Sequence, residues 1–451
     1  MRHQLKRRAS VLNKKSLSAA ILLLAAPAFG QELAPSAAPA YNCDFDPSCE
    51  VAPGFYGKLS SPVTSKFNLS LGGMVKLDYV HNSVNLGGNG ALATLQQGGI
   101  PKTSSPAGKQ DQSVFTARQS RLWFKVAGPP VLGAKTAALI EVDFYGANGT
   151  NESGNLRMRH AYGTLDWENT QLLFGQYWDN FGVANASTLD FGLGATAGNP
   201  QQPRVAQLRV TQKVKLSEQN LLKLSLSLQN PVQDSNQQSG AATDTWGGAV
   251  NTAGQAMLVS KSLGVAPGFW GLSMNPLQAG LFGLYGREDV GENDRSVASW
   301  GYGGYLFVPL LPSKDGKSRA MTASLEAQTY QAANMSFNYA TATPLTGPAG
   351  HKVPAKGYGM FGQGIFYPTQ NLGFAAGYGR RNAYDYGSYD GIANFQKWSS
   401  QIFANVSYDI NAAIRFGTEY QHLDTRYGNN AAGTSDKGVA NVYRVSAFYF
   451  F

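Results

Sequence analysis

Residues 439–451 alternate with a period of two. Tyr443, Val445, Ala447, Tyr449 and Phe451 share one parity, and Val442, Arg444, Ser446, Phe448 and Phe450 the other. Successive side chains of a strand point to opposite faces, so one face is apolar with aromatics at both ends and the other turns polar midway. The pattern recurs upstream. Phe67, Leu69, Leu71, Val75, Leu77 and Tyr79 oppose Asn68, Ser70, Met74, Lys76 and Asp78, and Leu222, Leu224, Leu226 and Leu228 oppose Lys223, Ser225, Ser227 and Gln229. The alternation predicts strands over 66–80, 113–127, 134–145, 155–167, 171–178, 204–216, 222–229, 277–287, 297–309, 318–332, 356–368, 371–381, 394–408, 411–425 and 438–451. The stretch 231–276 is the least regular, with one strand expected near 252–263. In 155–167 Arg157 and Arg159 share parity with Leu165 and Trp167, a conflict that a β-bulge would resolve.

The connections alternate between short and long. Gly128-Pro129-Pro130, Glu168–Thr170, Ser217–Asn220, Pro368–Asn371 and Asp409–Asn411 are short, whereas 81–112, 179–202, 333–355, 382–393 and 426–437 are long. About sixteen strands so joined, each apolar on one side, predict an all-β fold: a transmembrane antiparallel β-barrel over 66–451. A soluble sandwich or propeller is the competing architecture. Propeller blades would show a repeat of about 40–50 residues, which the chain lacks.

Composition agrees. Gly reaches 52 residues and aromatics 12%, while charged residues are 14%. The net charge of +9 is concentrated at the start: six of the 37 basic residues and none of the 28 acidic ones lie in 1–30, leaving 31 against 28. No nucleic-acid partner is therefore expected from the charge balance. Residues 1–30 have a basic stretch, an apolar run from Ala19 to Ala26, and small residues at Ala28 and Gly30, the pattern of a cleaved signal peptide. A membrane anchor is the alternative, but the run is short for a helical span, and no later run approaches about 18 apolar residues. Residues 31–65, rich in Pro, Ala and Ser, are expected to be a periplasmic segment. In an exported chain Cys43 and Cys49 are expected to form a disulfide.

No catalytic residues, metal or cofactor are expected. His81, His160, His351 and His422 are scattered without metal-ligand spacing, and Gly301-Tyr302-Gly303-Gly304 lies within a strand, so it is no phosphate loop. The chemistry expected is that of a pore wall. Inward candidates are Lys76, Arg121, Lys125, Lys135, Arg157, Arg159, Arg209, Lys213, Lys223, Arg415 and Arg444, with Asp78, Glu141, Asp143, Glu326 and Glu419 among the acids. Arg121 is expected to pair with Glu141 or Asp143 across adjacent strands. The surplus of bases predicts weak anion preference; the alternative is a balanced, solvated wall.

Two resemblances sharpen these expectations. An alternating strand ending in an aromatic resembles the C-terminal strand of bacterial outer-membrane barrels, which implies that Tyr449 and Phe451 form the signal read by the barrel-assembly machinery. The segments Ala117-Arg118-Gln119-Ser120-Arg121-Leu122, Ile140–Gly146, Leu156–Gly163 and Phe174–Phe181 resemble the DcaP-like porins of Gram-negative outer membranes, and more distantly the phosphate-selective porins. That resemblance covers 115–181. It implies a homotrimeric sixteen-stranded channel in outer-membrane lipid for small anionic or zwitterionic solutes, narrowed by a loop at 179–202. The chain departs from the family in lacking a heptad-rich N-terminal helix and from the phosphate-selective kind in lacking a dense Lys/Arg ladder. The competing function is a non-catalytic sheath, such as that of a porin–cytochrome electron conduit. An outer-membrane lipase would need an outward Ser/His pair that is not found.

Overall fold

The computed structural model describes residues 67–86, 100–146, 148–190, 198–199, 204–230, 250–289, 296–335, 345–346, 352–387, 395–429 and 435–451. The expected signal peptide, the segment 31–65 and the Cys43–Cys49 pair lie outside the described residues.

Sixteen strands among the described residues close into one antiparallel barrel. β1 is Asn68–Asn82, and β2 is a strand in two pieces, Gln112–Thr116 and Arg121–Val131, both paired to β1. There follow β3 (Ala134–Asp143), β4 (Arg157–Asp166), β5 (Thr170–Trp178), β6 (Arg204–Lys215), β7 (Asn220–Gln229) and β8 (Asn251–Ser260). The second half comprises β9 (Leu277–Asp289), β10 (Ser296–Leu311), β11 (Thr322–Ala333), β12 (Lys356–Tyr367), β13 (Leu372–Tyr384), β14 (Gln396–Asp409), β15 (Ile414–Asn429) and β16 (Ser435–Phe450). Each strand pairs with the next. The ring closes where β16 pairs with β1, Met74 opposite Phe450 through Asn82 opposite Val442. Among the described residues no barrel strand is left with an unpaired edge in hydrocarbon, where an unpaired N–H or C=O would cost several kcal/mol.

The two faces sort as the alternation predicts. On β1 Val75 and Leu77 are 56% and 48% exposed, whereas Met74, Lys76 and Asp78 are 0–1% exposed. On β16 Tyr443, Val445 and Tyr449 are exposed, and Arg444, Ser446 and Phe448 are buried. Large apolar side chains cover the outside of strand after strand, including Phe124, Ile140, Phe174, Leu208, Leu226 and Leu281. Soluble monomers rarely expose patches beyond a few hundred Å². Lipid is the solvent that suits this surface.

Two irregularities occur in the segment resembling the DcaP-like porins. β4 carries a bulge: Glu141 pairs with His160 and Val142 with Met158, leaving Arg159 as the extra residue. The parity conflict is thereby resolved, with Arg159 and His160 buried and Met158 exposed. The break in β2 turns Arg118 and Gln119 into buried positions, and the Ser120 hydroxyl accepts the Lys76 backbone N–H at 3.0 Å. Turn chemistry is orthodox elsewhere. Between β10 and β11 the Asp315 carboxylate accepts the N–H groups of Lys317 at 2.8 Å and Ser318 at 2.6 Å, which hold its pKa down to about 2.

Leu226 is 59% exposed on the outer face of β7. Leu226→Lys is expected to lower the unfolding free energy in lipid vesicles by about 2–4 kcal/mol. Equal stability of variant and wild type in a denaturant titration would contradict this placement.

Candidate functional site

The functional surface of a barrel is its interior, and here the interior has two unlike halves. The half built by β2 to β7 is basic. There two acids of β3 meet two arginines of β4 and one of β2. Arg157 is bidentate on Asp143, Nε to Oδ1 at 2.9 Å and Nη2 to Oδ2 at 2.6 Å. Arg159 donates to Glu141 and reaches Asp143 at 3.2 Å. Arg121, expected to take one of these acids, stands farther off, 4.0 Å from Glu141. The bulge explains the order, because it brings Arg157, Arg159 and His160 onto the side where both acids lie. Arg204 joins from β6; its guanidinium and that of Arg159 lie 5.0 Å and 5.8 Å from the Trp178 ring. His160 is fully buried against Tyr177 and Trp178, with Nδ1 3.8 Å from Glu141.

Nearer the end at which β1 begins and β16 finishes, here the terminal end, the same wall carries Lys125, Lys135, Arg209, Lys213 and Lys223. Lys135 is exposed and the other four are half-buried. Lys213 and Lys223 are register partners on β6 and β7. Arg209 donates to Gln207 at 2.9 Å and lies 5.2 Å from the Tyr177 ring. Five inward acids contrast with these bases: Asp78, Glu141, Asp143, Glu326 and Glu419 are all buried and hydrogen-bonded, whereas Asp166, opposite Lys135, is half-buried and accepts from Thr164 and Gln171.

The other half, β8 to β16 with β1, is covered by chain. Residues 179–190 leave β5 and run against inward side chains of successive strands. Asn180 donates to the Ala253 carbonyl at 3.1 Å; Val183 N–H donates to Gln328 at 2.7 Å and Ser187 N–H to Gln363 at 2.8 Å; Asn405 donates to the Ser187 carbonyl at 2.6 Å. Apolar contacts accompany them. Phe181 meets Phe282 edge-on at 4.9 Å, in a buried cluster with Tyr330, Phe307 and Phe361. Two glycines make room: a Cβ on Gly301 would lie 2.7 Å from the Phe181 ring, and one on Gly417 2.6 Å from Leu189.

The segment ends in a buried charge cluster. Lys76 Nζ contacts Asp78 at 2.7 Å and donates to the Leu189 carbonyl at 2.8 Å. Arg444 bridges Asp78 at 3.2 Å and Asp190 at 3.1 Å, and Gln119 donates to Asp190 at 3.1 Å. Glu419 accepts the Leu189 and Asp190 N–H groups. Charges so far from water persist only when paired and hydrogen-bonded, and here each has partners. Lys76, Glu419 and Arg444 therefore face inward as expected, but beneath the segment. Arg415 likewise is buried and bidentate on Asp409, with Nη2 at 2.9 Å. Gln119, Asp190, Gln328, Gln363 and Asn405 were not singled out from sequence. For Gln328, Gln363 and Asn405 the one signal is an amide at inward parity in mid-strand, whose donors and acceptors require partners; Gln119 in the break of β2 and Asp190 in the inward segment carry no such signal. Among the described residues no group of His, Cys, Asp and Glu could hold a metal ion.

Neither a family model nor a curated protein matches the chain. Solved structures do. The outer membrane channel DcaP of Acinetobacter baumannii aligns with a TM-score of 0.65 and 20% identity, over 88% of this chain and 99% of that one. An anion-selective porin from Comamonas acidovorans aligns with a TM-score of 0.51 and 10% identity, over 86% of this chain and 100% of that one. The likeness read from residues 115–181 is thus borne out as a likeness of fold: the chain is a transmembrane β-barrel folded as the DcaP channel is.

Proposed function

We propose that the protein is an outer-membrane porin that lets small hydrophilic solutes diffuse through a water-filled pore with a weak preference for anions. The observation that carries this reading is the unequal treatment of charge inside the barrel. Asp78, Glu141, Asp143, Glu326 and Glu419 are buried in ion pairs or hydrogen bonds, while Lys125, Lys135, Arg209, Lys213 and Lys223 on β2 to β7 keep exposed or half-buried side chains, against a single half-buried acid, Asp166 opposite Lys135, among the described inward residues of that wall. A pore selects by its diameter and by the charges that line it, so a solute beside this wall meets a positive field. The segment begun by 179–190 narrows the pore by occupying the opposite half. That two channels share the fold, one of them an anion-selective porin, supports the reading.

The remaining parts of the proposal follow from this one. Residues 1–30 are removed on export, 31–65 lie in the periplasm with Cys43 bonded to Cys49, and the terminal end of the barrel faces the periplasm. The working form is a homotrimer. Tyr449 and Phe451 serve the barrel-assembly machinery, and the outward face of β16 holds the protein in lipid.

In a planar bilayer separating unequal KCl concentrations, the reversal potential is expected to show modest anion preference. Lys213→Glu combined with Lys223→Glu should move it toward the cation side. A cation-selective wild type would overturn the assignment of the basic wall. Deleting Phe451 is expected to cut the yield of assembled barrel and to leave the conductance of assembled channels unchanged. Altered conductance at normal yield would show that the terminal residue belongs to the pore.

A further inference from the structure

The connection between β8 and β9 does not stay at the rim. Ala266–Pro267 pairs with Met274–Asn275 in a small hairpin whose tip is a 3-10 turn, Phe269–Gly271. β8 and β9 stand about half the ring away from β16 and β1, yet the tip reaches that far wall. Trp270 is 5% exposed and meets Phe448 of β16 edge-on at 5.3 Å, in one apolar cluster with Met74, Leu189 and Phe450. The hairpin therefore lies inside the barrel at its terminal end, reaching past β11 and β12 to β15 and β16.

Its position is fixed by polar contacts on both sides. The Trp270 carbonyl accepts the Tyr367 hydroxyl at 2.9 Å and Arg415 Nη1 at 3.1 Å, and Ser324 donates to the Pro267 carbonyl at 2.6 Å. Arg415 is held in turn by Asp409. On the other side the Trp270 indole N–H donates to the Thr188 carbonyl at 2.8 Å, so the hairpin is bonded directly to the segment 179–190. Trp270 has φ 53°, a left-handed conformation that costs a bulky side chain energy and persists only where the surroundings impose it. The imposing contacts are the ring packing and four hydrogen bonds of Trp270, the fourth from its backbone N–H to the Ser187 hydroxyl at 3.5 Å.

We infer that this hairpin is a second constriction in series with the segment 179–190, and that Trp270 is the positioning residue joining the two and setting the size of solute that passes. The inference rests on the porin reading for its consequence but not for its geometry. The segment 179–190 enters from the end opposite the termini and the hairpin from the terminal end. The Trp270–Thr188 bond locks one against the other, so neither can withdraw along the wall without breaking it.

The test uses the full-length protein, wild type, Trp270→Ala and Trp270→Phe, each first shown to migrate as a folded barrel. Conductance is recorded with graded neutral polyethylene glycols in the bath to obtain the exclusion limit. Amide hydrogen exchange over 179–190 is followed on the same preparations. Trp270→Ala is expected to raise conductance and admit larger polymers without reversing ion preference. It should also speed exchange of 179–190, roughly five- to tenfold for the loss of one buried hydrogen bond. Trp270→Phe keeps a ring for Phe448 but loses the N–H, so it should reproduce the faster exchange with a smaller rise in conductance. A folded Trp270→Ala channel with wild-type exclusion limit, or with unchanged exchange over 179–190, would overturn the inference. A wild type that folds and does not conduct would instead remove the porin reading, and with it the size-setting role.

Discussion

Everything in this structure depends on the requirement that backbone N–H and C=O groups in hydrocarbon find partners within the chain. A sheet meets it only by closing on itself, so β16 must find β1, and the ladder from Met74–Phe450 to Asn82–Val442 is the consequence. Closure fixes the register, and register fixes facing, because a slip of one residue would exchange lipid-facing tyrosines for Arg444 and Ser446. The division between an apolar exterior and a chemical interior is thus settled at the seam.

Closure at sixteen strands creates a second problem, since a ring that wide cannot be filled by its own side chains. The chain responds by sending its own backbone inside. Residues 179–190 and the hairpin 266–275 bring carbonyl and N–H groups into the interior, and each needs a partner there. Gln328, Gln363 and Asn405 on the wall supply them for the first, and Tyr367, Ser324 and Arg415 for the second. The buried pairs Lys76–Asp78, Arg444–Asp190 and Arg415–Asp409 belong to this anchoring system. Lys125, Lys135, Arg209, Lys213 and Lys223 of β2 to β7 lie outside that system and keep exposed or half-buried side chains.

The strands were legible because a transmembrane barrel writes its facing into every second residue. Even the parity conflict at Arg157 and Arg159 pointed to a bulge, which the structure places at Arg159. The facing of Lys76, Glu419 and Arg444 was equally readable, but their being covered was not. Cover comes from chain more than 100 residues distant in the cases of Lys76 with Leu189 and Asp190 with Glu419, and no local pattern records it. The hairpin was illegible for the same reason. Phe269-Trp270 is a short apolar pair in an irregular stretch, and only the far wall at Phe448 gives it meaning. The break in β2 left no mark either, since Arg118 and Gln119 continue an ordinary polar run.

The proposed porin role requires that water pass through this barrel between a basic wall and a chain-covered one. Single-channel recording of the purified folded protein over a range of voltages tests it most directly. A water-filled pore is expected to give discrete insertions with a steady, linear current–voltage relation. A folded preparation that inserts into the bilayer and carries no current would contradict it.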